Sequence, residues 1–122
     1  IIDFNLRKQN FAVKVVHNGF EAGFQTLVFK PDLVILDIMM PGLNGIEVCR
    51  RIKSSDQTND VIVLGITGSD DPSLLSGMLE AGAVEILKKP FDGNQLLSKI
   101  RELAEVNPEP FQKQGDSAQL SS

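Results

Sequence analysis

The sequence contains no tryptophan and no tyrosine, and it has one cysteine, Cys49, and one histidine, His17, in 122 residues. A single cysteine excludes an internal disulfide framework and suits a reducing cytoplasm, the expected compartment. One cysteine and one histidine are too few ligands for a zinc-type site, whereas a hard cation held by carboxylates stays open. Positive charge is also in short supply: 12 Lys and Arg stand against 16 Asp and Glu, a formal net charge of -4. Gripping a phosphate backbone needs a basic footprint, so direct nucleic-acid binding by this domain is not expected. No apolar run approaches the length of a membrane span and no charged-then-apolar leader opens the chain, so membrane association is not expected.

What is present is an alternation of apolar bursts and helical patterns, in a chain whose 42% apolar content is ordinary for one soluble domain. Phe11–His17 alternates and reads as a strand, after which Phe20, Phe24, Leu27 and Val28 recur at helical spacing. Asp32–Asp37 (DLVILD) and Val61–Ile66 (VIVLGI) are short, branched-rich runs of the kind buried on both faces of a sheet. Between them Ile46, Val48, Cys49 and Ile52 line one side of a helix ending near Ser54. Asp70-Asp71-Pro72 signals the next helix start, Leu74, Leu75, Met78 and Leu79 form its inner face, and Gly82 stops it. Ala83–Leu87 is a further short strand, and Leu96, Ile100, Leu103 and Ala104 mark the last helix. Strands alternating with helices predict βαβ units, hence a parallel sheet with helices on both faces. Residues 1–106 are read as this domain. Residues 107–122, rich in Pro, Gln, Ser and Gly, are read as a polar tail or linker.

The amino end departs from this plan. Ile1-Ile2-Asp3 reads as the end of a first, central strand, which leaves only Phe4–Asn10 to cross back to the next one. A parallel crossover takes a dozen residues or more, and seven helical residues rise only about 10 Å. The first strand and helix are therefore expected to be incomplete, with residues missing before Ile1 or between Asp3 and Phe4. The alternative is that Ile1–Asn10 is a remnant of the first helix.

Candidate chemistry lies at three strand ends. Asp37 closes a buried strand, Thr67-Gly68 follows the next, and Lys88-Lys89-Pro90 follows the third. In open α/β sheets ligands bind at the carboxyl ends of the strands. If these strands are parallel neighbours, Asp37, Thr67 and Lys89 converge on one crevice. A carboxylate can attack a phosphoryl group while a lysine neutralises its oxygens, a hydroxyl donates a hydrogen bond and Gly68 leaves room. Each residue alone has a structural explanation: a strand-ending acid, a β-former, a surface charge. Three at successive strand ends are harder to explain that way.

Pro31–Gly45 (PDLVILDIMMPGLNG), Ile66-Thr67-Gly68 and Lys89-Pro90-Phe91 closely resemble the receiver domains of bacterial response regulators in two-component signalling, over about Phe11 to Val106. The resemblance implies a flavodoxin-like sheet of five parallel strands in the order 2-1-3-4-5. It implies that Asp37 takes a phosphoryl group from a histidine kinase or phosphotransfer protein. Thr67 would be the switch hydroxyl and Lys89 the phosphate contact. Pro41 and Gly45 would shape the loop below the site, and the Lys89–Pro90 bond would be cis. Mg²⁺ would sit on Asp37, on the backbone carbonyl of Met39 and on an acidic pair ending the first strand. Such a domain is not an enzyme beyond its own phosphoryl transfer and autodephosphorylation. Its last two helices and the intervening strand would be the surface that switches, serving a homodimer or an effector domain.

The sequence departs from the family pattern twice. Asp3 is the candidate for the acidic pair, but Phe4 follows it where a second acid is expected. Ile86 stands where an aromatic residue is usual, three positions before Lys89. The missing acid leaves a competing reading, a pseudo-receiver that binds partners without phosphorylation. A flavodoxin-like enzyme is disfavoured because no cofactor loop is recognisable, and the Gly42/Gly45 pair lacks a P-loop lysine. His17 reads as a structural strand-end residue, Cys49 as a small core residue and Arg50-Arg51 as a solvated face. Phe4, Phe11, Phe20, Phe24 and Phe29 read as core residues or loop anchors.

Overall fold

The computed structural model describes residues 2–5, 10–16, 28–39 and 44–106, with the backbone alone for residues 2–5, 10 and 106. Five strands form one sheet: β1 (Ile2–Asn5), β2 (Asn10–Val16), β3 (Leu33–Asp37), β4 (Ile62–Thr67) and β5 (Glu85–Lys88). Three described helices are α1 (Gly45–Ser54), α2 (Pro72–Glu80) and α3 (Gly93–Val106). The expected helix through Phe20 and Phe24, the residue His17, the loop residues Pro41 and Gly42, and the tail 107–122 lie outside the described residues.

The sheet order is a correction to the expected 2-1-3-4-5. Strands lie in chain order, β2 to β5 are parallel, and β1 pairs antiparallel with β2 at the edge. The cause is chain length. Four residues separate Asn5 from Asn10. That is hairpin length and too short for a parallel crossover. β2 therefore takes the place beside β3, with Val13 level with Leu33 and Val16 with Leu36.

Alternation along the buried strands divides the core in two. Val34, Leu36 and Val63 pack with Val48, Cys49 and Ile52 of α1 and Met78 of α2 on one face. Leu33, Ile35, Ile62 and Leu64 pack with Phe11, Val13 and, from α3, Ile100, Leu103 and Ala104 on the other. Each large side chain so buried contributes roughly 1.5–3 kcal/mol of transfer free energy. Cys49 is part of this core, and burial pushes its thiol up to about 11, so it stays protonated at neutral pH and packs as an apolar group.

Local chemistry sets the helix ends. Asn44 caps α1 by accepting the Glu47 N–H at 2.9 Å, and Asp71 caps α2 by accepting the Ser73 N–H at 2.9 Å, with Pro72 in the first turn. Past α2, Gly82 has φ +118°, and a Cβ there would stand 2.5 Å from Lys53 Cγ. The glycine lets the Lys53 stem cross it, so that Nζ donates to the carbonyls of Asn59 at 2.7 Å and Val61 at 2.9 Å. Burial holds this ammonium below the ordinary lysine value. Among the described residues no helix is long and apolar enough to cross a membrane.

Candidate functional site

Asp37 is the last residue of β3 and lies level with Ile66 of β4. Thr67 follows Ile66, lies level with Lys88 of β5, and Lys89 follows Lys88. Parallel pairing therefore brings the three sequence candidates to one edge. Two contacts join them. Lys89 donates its backbone N–H to the Thr67 carbonyl at 2.7 Å, and its Nζ donates to Asp37 Oδ2 at 2.7 Å. The Lys89–Pro90 peptide is cis, as the family resemblance implied.

The Asp37 carboxylate is partly open, with its side chain 26% exposed, and its Oδ1 accepts the Met39 N–H at 3.0 Å. Its backbone is fixed from two sides. Ile38 donates to the Ile66 carbonyl at 3.0 Å and accepts from the Gly45 N–H at 2.8 Å. A Cβ at Gly45 would stand 2.6 Å from the Asp37 carbonyl oxygen and 2.7 Å from Ile38 Cα. Only glycine fits there.

Thr67 is buried, and its Oγ1 accepts the Ser69 N–H at 3.0 Å. The loop continues in the same manner, with Ser69 Oγ accepting the Asp71 N–H at 3.0 Å. Asp70 between them is ion-paired with Lys88. A Cβ at Gly68 meets nothing within 4 Å, so the backbone there is open rather than crowded. Sequence reading missed the roles of Ser69 and Asp70. The signal available was the run Ser69-Asp70-Asp71, whose side chains favour such local bonds to backbone N–H groups.

Asp3, the tentative metal ligand, is not brought to Asp37, and that assignment is corrected. It pairs with Ala12, which accepts the Asp32 N–H at 2.8 Å. That places Asp3 at the opposite end of the sheet from Asp37 and two strands away. The residues implied for Mg²⁺ then reduce to the Asp37 carboxylate and the Met39 carbonyl. Beside them β2 ends in Val15-Val16 and supplies no carboxylate, and the acidic pair that the resemblance implies for the first strand is not brought to this edge. No group of three His, Cys, Asp or Glu able to hold a metal occurs among the described residues. The described donors do not fit an Mg²⁺ site.

Comparison with known proteins agrees with the geometry. The family described as the response regulator receiver domain matches residues 1–101. The response regulator MprA of Mycobacterium avium is 37% identical over 99 residues, 81% of this chain. That of Mycobacterium tuberculosis is 36% identical over 99 residues. The chain spans 42% of the length of these relatives. The receiver domain of the DNA-binding response regulator merR from Colwellia psychrerythraea superposes with a TM-score of 0.70 at 28% identity, covering 78% of this chain and 98% of that one. Chemotaxis response regulator CheY4 of Vibrio cholerae superposes at 0.66 and 25% identity, over 72% of this chain and 73% of that one. With a flavodoxin-like α/β sheet, a carboxylate, hydroxyl and lysine gathered at its carboxyl edge, and a family match over most of its length, the chain belongs to the response regulator receiver domains of two-component systems.

Proposed function

We propose that this chain accepts a phosphoryl group on Asp37 from the phosphohistidine of a kinase or phosphotransfer protein, and that Thr67 and Lys89 read its arrival. The contact that carries the reading is the Lys89–Asp37 pair at 2.7 Å. It puts a positive charge against a partly open carboxylate at the strand ends, where negative charge develops during transfer. A carboxylate oxygen of Asp37 attacks phosphorus, the P–N bond breaks, and the imidazole keeps the electron pair and takes up a proton. Lys89 then follows the charge from the carboxylate to the phosphoryl oxygens. Hydrolysis reverses the state: water attacks phosphorus, the P–O bond to Asp37 breaks, and inorganic phosphate leaves. The domain acts as a switch and not as an enzyme on any other substrate.

Phosphorylation adds roughly −1.5 to −2 charge. The Thr67 hydroxyl can donate to a phosphoryl oxygen, which draws on the Thr67–Ser69 bond and on the loop into α2. With Ile86 partly buried among the core residues of that face, no aromatic ring swings with it. The switched surface is α2, β5 and α3, offered to an effector domain or a second copy, in the cytoplasm. Incubation with acetyl phosphate and Mg²⁺ should label the protein, and Asp37→Asn should abolish the label. Equal labelling of the variant would refute the assignment. The pseudo-receiver reading keeps one supporting observation, the second acid missing after Asp3, where Phe4 stands, and a failure of both phosphodonor and kinase to label Asp37 would favour it.

A further inference from the structure

We infer that the resting Asp37 site of this chain has no resident divalent cation and that the Lys89 ammonium is its counter-charge. The inference deepens the proposed function and rests on it for the use of the site, but not for the charge balance. Mg²⁺ demands near-octahedral oxygen ligation and gives up its waters reluctantly, so a site attracts it with clustered carboxylates or with phosphate. Three carboxylates beside one lysine leave a net charge of minus two, which a divalent cation neutralises. Among the described residues one carboxylate faces one lysine here, and their charges cancel before any cation arrives.

The neighbouring strands add no negative charge among the described residues. β2 borders β3 on one side and closes in Val15-Val16, with Val16 level with Leu36. β4 borders it on the other and offers Ile66 and Thr67. Both Asp37 oxygens already carry a donor, Met39 N–H on Oδ1 and Lys89 Nζ on Oδ2. A cation on Asp37 would have to displace the ammonium or sit beside it, and like charges at such separations repel. The one other assigned oxygen, the Met39 carbonyl, is a neutral dipole and does not reverse that balance. Asp3, the acid that could have done so, lies at the far end of the sheet.

The test is a titration of the full chain with MgCl₂, followed through the backbone amide resonances of Asp37–Met39, Thr67–Ser69 and Lys89. No phosphodonor is present, so the outcome does not depend on whether Asp37 is ever phosphorylated; the labelling experiment above decides that separately. Through the millimolar range the shifts should be linear, unsaturated and of equal slope in the wild type and in Asp37→Asn. Saturation in the wild type that Asp37→Asn abolishes would overturn the inference. A third titration examines the counter-charge. In Lys89→Met the slope should rise, because the ammonium no longer competes for Asp37. An unchanged slope would remove Lys89 from that role. A dispersed amide spectrum in each variant verifies that the fold is kept.

Discussion

At the amino end of the parallel sheet, polar side chains are consumed by the backbone. Asp32 Oδ2 accepts the Ala12 N–H at 2.9 Å, Thr58 Oγ1 donates to the Ile52 carbonyl at 2.7 Å, and Lys53 closes two further carbonyls. At the carboxyl end, roughly 16 Å along the line of β3 from Asp32 to Asp37 at about 3.3 Å per residue, charged side chains face each other: Lys89 with Asp37, and Lys88 with Asp70. A backbone carbonyl is a permanent partner, and leaving it unpaired in the interior costs about 1–3 kcal/mol. A partly exposed ion pair is exchangeable, because water or another charge can replace either member at little cost. One end of the sheet is therefore stapled, and the other is free to trade partners.

The largest effect should come from removing the lysine that faces Asp37. Lys89→Ala is expected to slow labelling of Asp37 by acetyl phosphate on the order of a hundredfold, the usual loss for one preorganised electrostatic contact at a reacting group. Its urea midpoint should stay near that of the wild type, since the Lys89 side chain is 44% exposed. A variant that labels normally but unfolds early would place Lys89 among the staples and erase the contrast.

Gly45 is where the two kinds of region overlap. It sits at the exchanging end, yet its requirement is steric, because a methyl group there would stand 2.6 Å from the Asp37 carbonyl oxygen. Gly45→Ala should cost about 1–3 kcal/mol, the range for forcing an atom into packed structure. It should also slow labelling, since the atoms displaced belong to Asp37 and Ile38. Urea unfolding and acetyl phosphate labelling read the two effects separately.

At the stapled end, Thr58→Val keeps shape and loses only the hydroxyl that holds the Ile52 carbonyl. Thr58 is 6% exposed, so water does not readily replace the lost donor. A loss of about 1–3 kcal/mol is expected in urea unfolding, with labelling of the folded protein unchanged. Slower labelling at full stability would show that the amino end communicates with the site.

The same contrast explains what was legible in the sequence. β3, β4 and the last two helices announced themselves through short apolar runs, an Asp-Pro helix start, a stopping glycine and apolar residues at helical spacing, and the structure moves the bounds of the two strands by one residue. The meeting of Asp37 and Lys89 followed once the strands were parallel neighbours, because parallel registers place successive strand ends together. The staples were not legible. Thr58 lies in the polar run Ser54–Asp60 (SSDQTND) and Lys53 in the last turn of α1, and neither position belongs to an apolar pattern or a motif. Their partners are carbonyls supplied by tertiary structure, which no side-chain pattern records. The amino end failed for another reason. Ile1-Ile2-Asp3 reads as the end of a central strand because a doubly wound sheet needs a first strand at its centre. The described strand runs on through Asn5 and doubles back, since so short a connection admits a hairpin and nothing parallel.

The smallest effect should come from Lys88, one residue from the largest. Adjacent residues on a strand point to opposite faces, and here one lysine reaches Asp37 while the other pairs with Asp70 in the loop before α2. The Lys88 and Asp70 side chains are 44% and 84% exposed. A pair so open to water contributes about 0–1 kcal/mol, and screening by salt lowers that further. Lys88→Ala should therefore leave the urea midpoint nearly unmoved and label at the wild-type rate, since neither partner touches Asp37. The comparison with Lys89→Ala controls for net charge, because each variant loses one positive charge from the same strand end. If the two variants slow labelling equally, the effect is one of summed local charge and not of the contact with Asp37. If Lys88→Ala labels faster, the Lys88–Asp70 pair restrains the Thr67–Asp71 loop against the movement that brings the Thr67 hydroxyl to the phosphoryl group. A rate within experimental error of the wild type, measured beside a Lys89→Ala rate that has collapsed, is the expected result.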